Sequence, residues 1–211
     1  MADIYLNHLL VLFGIVDPIG IAWLFAAMTH GVDPALQWRM ALRGCLLAGV
    51  ILIGFFFGGT VLLQWFGITI PAFRIAGGIL LFLVAIDMVF ARQSGLRSTT
   101  SAEQLEAAVK EDISVFPLAF PLLAGPGAIT TVLLMSSTSV TIEATLVEIA
   151  IILFVMVSCV VALRYAPALS SRLGETGANV ISRMLGLLVA ALAVQYVLDG
   201  AMEWALSLSL R

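Results

Sequence analysis

The chain has 211 residues, 62% of them hydrophobic and only 11% charged, with a net charge of −3 and a mean hydropathy of +1.13. An average soluble domain is about 45–50% apolar and roughly 25% charged, so a water-soluble globular domain and a disordered chain are both excluded. There is no basic footprint for nucleic acid, and two cysteines with two histidines make neither a disulfide scaffold nor a zinc site.

What remains is an all-α integral membrane protein with room for six spans at about 20 residues each. The first, 4–28, has no Lys or Arg before it and no small-residue cleavage site, so it reads as a span and not as a cleaved signal. It is interrupted by Asp17-Pro18-Ile19-Gly20. The second, 44–66, lies in the uncharged stretch 44–73 and contains Gly58-Gly59. The third, 70–91, opens with Arg74-Ile75-Ala76-Gly77-Gly78. In the loop 92–114, Ser101 and Gln104 have capping-box spacing, which predicts a short polar helix over 102–112. The fourth span, 115–137, lies in the uncharged stretch 113–142 and is interrupted by Gly125-Pro126-Gly127, after Pro117 and Pro121. The fifth is 144–165. The sixth, 183–206, opens with Arg183-Met184-Leu185-Gly186 and contains Gln195.

Basic residues set the orientation. Arg39, Arg43, Arg92, Arg97, Lys110, Arg164, Arg172 and Arg183 fall in or beside loops one, three and five, which is eight of the ten. The positive-inside rule places those loops in the cytoplasm and both termini outside.

The breaks and the Arg-x-x-Gly tetrads repeat at matched spacing. Pro18 to Arg74 is 56 positions, and Pro126 to Arg183 is 57. The chain reads as one transmembrane domain of two three-helix halves, 1–91 and 115–211, joined by the loop 92–114. Three spans per half is odd, so the halves are inverted, as in many secondary transporters.

Proline removes a backbone donor and glycine weakens a helix, so spans 1 and 4 are expected to open near their middles. Unpaired backbone groups cost several kcal/mol each in hydrocarbon unless something satisfies them. Two equivalent breaks therefore point to one shared polar site. Half-helix N-termini suit a carboxylate and C-termini an ammonium, so a zwitterionic amino acid fits both. Paired packing kinks are the alternative.

Asp17 is the sharpest candidate, because an ionisable group in mid-span costs about 2.5–3.5 kcal/mol on insertion scales. It is read as a substrate ligand or proton carrier, or else as the N-cap of the second half-helix. Pro18, Ile19, Gly20, Gly125, Pro126 and Gly127 complete the expected lining. Thr130 and Thr131 offer hydroxyls to a ligand, or bond the preceding turn. Gln195 is a ligand or an interhelical contact. Arg74 and Arg183 are read as snorkelling cations, Asp87 and Asp199 as interface residues, and Cys45 and Cys159 as apolar fillers. The pairs Gly58-Gly59 and Gly77-Gly78 are read as close helix contacts. His8, near the outer end of span 1, and His30, in a loop, belong to no metal or nucleophile constellation. No His-Glu-x-x-His, Gly-x-Ser-x-Gly or central aspartate pair is present, so no enzyme and no cofactor is expected.

From about residue 5 to 205 the sequence resembles the MarC family, which is also described as the neutral amino acid transporter family. The resemblance rests on Asp17–Gly20, on Phe73-Arg74-Ile75-Ala76-Gly77-Gly78-Ile79-Leu80, and on the long run from Phe120 through Gly125-Pro126-Gly127 to Thr131. It continues in Ser182–Leu187, Gln195 and Gly200. It implies a six-span inner-membrane protein of bacteria or archaea that moves glycine, alanine and similar small neutral amino acids, with proton coupling. The family usually has Asn where this chain has Asp17. The expected function is thus alternating-access transport of small amino acids, with export of another small metabolite as the alternative. Its expected partners are the substrate, protons or another coupling ion, and the lipid bilayer; homo-oligomerisation is left open.

Overall fold

A computed structural model describes residues 2–90, 112–139 and 141–209, and all their elements are helical. The first span is α1 (Ala2–Val16) with α2 (Pro18–Met28), followed by α3 (Pro34–Trp65) and α4 (Ile70–Val89). The second half holds α5 (Ser114–Leu123) with α6 (Pro126–Thr138), then α7 (Ile142–Arg164) and α8 (Ala166–Ser209). Five stretches are each long and apolar enough to cross a bilayer, and the α5–α6 pair, bent by 58° at its break, makes the sixth. The helix expected over 102–112 lies outside the described residues apart from Asp112.

Local sequence explains where the helices start. Asp17, Asp33, Thr69 and Thr141 are N-caps whose side chains accept from the backbone N–H of Gly20, Ala35, Ala72 and Ala144. Proline stands in the first turn of α2, α3 and α4, where its missing N–H costs nothing.

Two boundaries depart from expectation. α3 begins at Pro34, ten residues before the predicted 44, so Arg39 and Arg43 ride on its first turns. The segment 166–182, expected as a loop, is helical apart from an interruption at Gly174, whose φ of 61° is left-handed. Apolar run length marks where a helix lies in lipid, and it misses polar turns that continue into water.

The packing exchanges in step with the two halves. α3 packs on α5 and α6, as α7 packs on α1 and α2; α4 meets α6 as α8 meets α2. α3 also meets α7, and α4 runs antiparallel to α8. Along that last seam Gly78 faces Ala193 and Val197, Gly186 faces Ala85 and Met88, and Gly200 faces Pro71 and Ile75. A Cβ on Gly78 would lie 2.8 Å from the Ala193 carbonyl oxygen, so the backbones touch because the residue is glycine. Of the expected small-residue pairs, Gly59 and Gly77 also meet neighbours, at Leu133 and Thr130, whereas Gly58 faces open space.

Leu12, Leu52, Leu81, Leu118, Leu123, Met135 and Ile152 fill the core. Leu46, Val50, Phe57, Phe154, Val157, Leu187 and Leu188 cover the outside, an apolar face suited to lipid. The apolar window of the first span is 56% buried and that of the last 17%, so the first span is the enclosed one.

The two ends of the bundle are marked by polar contacts. At the first rim, where α1, α4 and α7 begin and α3 ends, Arg74 pairs with Glu203, and Trp65 and Trp204 are exposed. At the second, Arg43 pairs with Asp112 at 2.7 Å, and the Arg164 guanidinium lies 5.5 Å from the Trp38 ring centre. Aromatic and cationic groups at both ends fit the two interfaces of a bilayer.

Candidate functional site

The first break is narrower than expected. Asp17 alone is left-handed, at φ 50° and ψ 69°, while its N–H still reaches Phe13 O at 2.9 Å and its carbonyl still accepts from Ile21 at 3.0 Å. Pro18 has no N–H to lose, so one residue absorbs the whole deviation and the span does not open.

Asp17 is 2% exposed, and both its carboxylate oxygens are occupied. Oδ1 accepts from the Gly20 N–H at 3.0 Å, and Oδ2 accepts from the Ser182 hydroxyl of α8 at 2.6 Å. A Cβ on Gly20 would sit 2.3 Å from Asp17 Oδ2 and 2.7 Å from Ser182 Oγ. Glycine at position 20 is therefore what lets α8 approach the cap. Pro18 is buried behind it and Ile19 is half-buried.

The second break is wide. Phe116 and Phe120 have extended backbones, each before a proline that cannot donate. The remaining ladder widens, with Leu118 N–H bonding Ile113 O and Ala124 N–H bonding Ala119 O. α6 then starts at Gly125 without a side-chain cap. Its first intrahelical bond runs from the Ile129 N–H to Gly125 O, which leaves the N–H groups of Gly127 and Ala128 outside the ladder.

The breaks come together through α1. Gly127 packs on Ile15, two residues before Asp17, and on Leu81 and Val84 of α4. A cavity of about 10 Å³, room for roughly one water, lies there among Ile15, Val84, Pro121, Gly125, Gly127 and Ala128.

The other expected residues fall in different places. Thr130 is 4% exposed, with its methyl group against Gly77. The fully buried Thr131 hydroxyl donates to Gly127 O at 2.9 Å, so it satisfies its own helix. Gln195 is exposed on α8 and donates to Asp199 at 2.7 Å, one turn along the same helix, so it joins neither break.

Two groups escaped the sequence reading. Ser182 stands just before the Arg183 tetrad, in a stretch already singled out, but nothing in the sequence pairs it with Asp17. Glu148 is an acid inside span 5, but it stands only five residues into the predicted span, too near its end for the mid-span criterion that selected Asp17. It is 1% exposed and its Oε1 lies 2.6 Å from His8 Nδ1. At the second rim, Ser114, whose N–H donates to Asp112 Oδ1 at 2.9 Å, and Arg43 hold the Asp112 carboxyl below the usual carboxylate range.

A family model described as MarC family integral membrane protein matches residues 2–205. The UPF0056 membrane protein YhcE of Escherichia coli is 39% identical over 93% of this chain and 91% of its own length. YvbG of Bacillus subtilis is 35% identical over 90% of each chain, and MJ1677 of Methanocaldococcus jannaschii is 35% identical over 90% of this chain and 91% of its own. No solved structure matches the chain. Apolar helices in this number, with such relatives, make it a multi-pass protein of the plasma membrane, and the chain belongs to the MarC family of integral membrane proteins.

Proposed function

We propose that the chain is a secondary transporter of small neutral amino acids of the glycine and alanine type, coupled to protons and working by alternating access. The observation that carries this reading is the convergence of the two breaks, with Gly127 against Ile15 beside the buried Asp17. The uncapped N-terminus of α6 offers the Gly127 and Ala128 N–H groups and a positive dipole end to a substrate carboxylate. Asp17 offers the opposite charge to the ammonium group and is the titratable group at this site. A cavity about the size of a water must enlarge to admit an amino acid. The irregular α5 and its 58° bend to α6 are where that movement is placed. With loops one, three and five in the cytoplasm, the second rim is the cytoplasmic one.

Purified protein in liposomes should take up labelled glycine or alanine and respond to an imposed proton gradient. Absence of uptake and binding for every amino acid, at either gradient polarity, would overturn the proposal. A second reading, export of another small metabolite, draws on the carboxylate of Asp17 at a position where the family usually has Asn. A deletion strain that accumulates a non-amino-acid compound would favour it.

A further inference from the structure

We propose that His8 and Glu148 form a second proton site, separate from the Asp17 site and nearer the first rim, which takes up and releases one proton as the transporter cycles. The proposal rests on the transport reading for its role, but the site itself stands on its own geometry. Each residue lies six positions into a helix that begins at the first rim, so both sit at the same depth, about 9 Å along α1 and α7. His8 is 7% exposed and Glu148 1%, and His8 Nδ1 meets Glu148 Oε1 at 2.6 Å. The other oxygen, Oε2, is buried with no hydrogen-bond partner among the described residues.

An unpaired buried carboxylate oxygen carries a large desolvation penalty. A proton on Oε2 removes the charge while Oε1 keeps accepting from the imidazole Nδ1–H. Transfer of that proton to water at the rim leaves the carboxylate, and the imidazole then shares its charge. No bond other than O–H forms or breaks.

The Tyr196 hydroxyl of α8 is also buried without a hydrogen-bond partner among the described residues. Arg74 pairs with Glu203 at the rim. Asp3, Tyr5 and Glu143 are the remaining ionisable groups at this end of α1 and α7. α2 and α6 contribute none, and those of α3 (Arg39, Arg43 and Cys45) lie toward the second rim. By contrast, Asp17 has both oxygens held by donors and lies nine residues further along the span, about 13 Å.

Two measurements on the full chain in proteoliposomes test this. In pH-difference infrared spectra, a carboxyl C=O band should appear on acidification, vanish in Glu148→Gln and shift in His8→Asn. In transport, Glu148→Gln should lower alanine accumulation driven by a pH gradient by about tenfold or more while alanine counterflow stays within about threefold. A titrating band that neither variant alters, or full accumulation by folded Glu148→Gln, overturns the proton site. If Glu148→Gln does not fold, the response of the band to His8→Asn decides. If the wild type moves no amino acid yet shows the Glu148 band, the transport reading fails and the proton site stands.

Discussion

Gly20→Ala is the most direct probe of the Asp17 cap. The new methyl carbon would sit 2.3 Å from Asp17 Oδ2 and 2.7 Å from Ser182 Oγ, so it displaces the 2.6 Å bond between them. A hydrogen bond to a charged group contributes about 1.5–3 kcal/mol, which is roughly a 10- to 150-fold change in the unfolding equilibrium. Cys45 and Cys159 are both buried and in no disulfide, so a thiol-reactive fluorogenic dye reports unfolding in detergent without an added label. Ser182→Ala should cost a similar amount. The double variant should cost little more than either single one, because both changes remove the same contact. Gly58→Ala is the control: nothing lies within 4 Å of its Cβ, and better helix propensity should leave it neutral or up to about 1 kcal/mol more stable. Strict additivity of Gly20→Ala and Ser182→Ala, or a Gly20→Ala protein as stable as the Gly58→Ala control, would refute the reasoning.

Asp17→Asn should fold, since Asn caps a helix about as well as Asp, and should move the pH profile of amino acid uptake; an unmoved profile would leave Asp17 as a cap alone. Asp112→Asn should cost about 0.2–1 kcal/mol, the range for an exposed ion pair. The folded carboxyl of Asp112 is held low, so its stabilisation is complete above the unfolded value of about 3.9 and is lost as pH falls below it. Thermal unfolding of wild type and variant should therefore differ by a constant amount above about pH 5 and converge in stronger acid; a gap that widens on acidification contradicts the assignment. Gly78→Ala should destabilise more than Gly59→Ala, although the Gly59 Cβ would come within 1.6 Å of Leu133, because a leucine tip can turn aside and the Ala193 carbonyl cannot. The same dye assay ranks the two.

Charge spacing located the spans because hydrocarbon rejects charge so strongly that the gaps 44–73 and 113–142 could hardly mean anything else. The breaks were legible for a related reason: proline and glycine are local restrictions on the backbone, visible one residue at a time. How far each break opens was not. The first span keeps its ladder on either side of Asp17, whereas the second loses it through Phe116 and Phe120. The difference lies in the number of prolines and in the packing around them. The partners of the polar residues were the least legible. Ser182 meets Asp17 across 165 positions and Glu148 meets His8 across 140. Contacts between helices depend on rotation about the axis, and an apolar sequence carries little periodic signal to fix that rotation.

The two halves share the spacing of their breaks and Arg-x-x-Gly tetrads but divide the chemistry. Aligning Pro18 with Pro126 sets Asp17 against Gly125, and aligning Arg74 with Arg183 sets Phe73 against Ser182. The carboxylate thus occurs only in the first half, and the hydroxyl that holds it only in the second. In consequence the N-terminus of α2 already has its anion, bonded at 3.0 Å, and the N-terminus of α6 has none. A symmetric pair of capped breaks would present no net preference to a ligand, and a symmetric pair of uncapped ones would suit only an anion. One of each, linked through the Ile15–Gly127 contact, gives the fold one N-terminus with its anion and one unfilled positive dipole end. Under the proposed function, that pairing is why the site would select a molecule carrying both charges a few bonds apart.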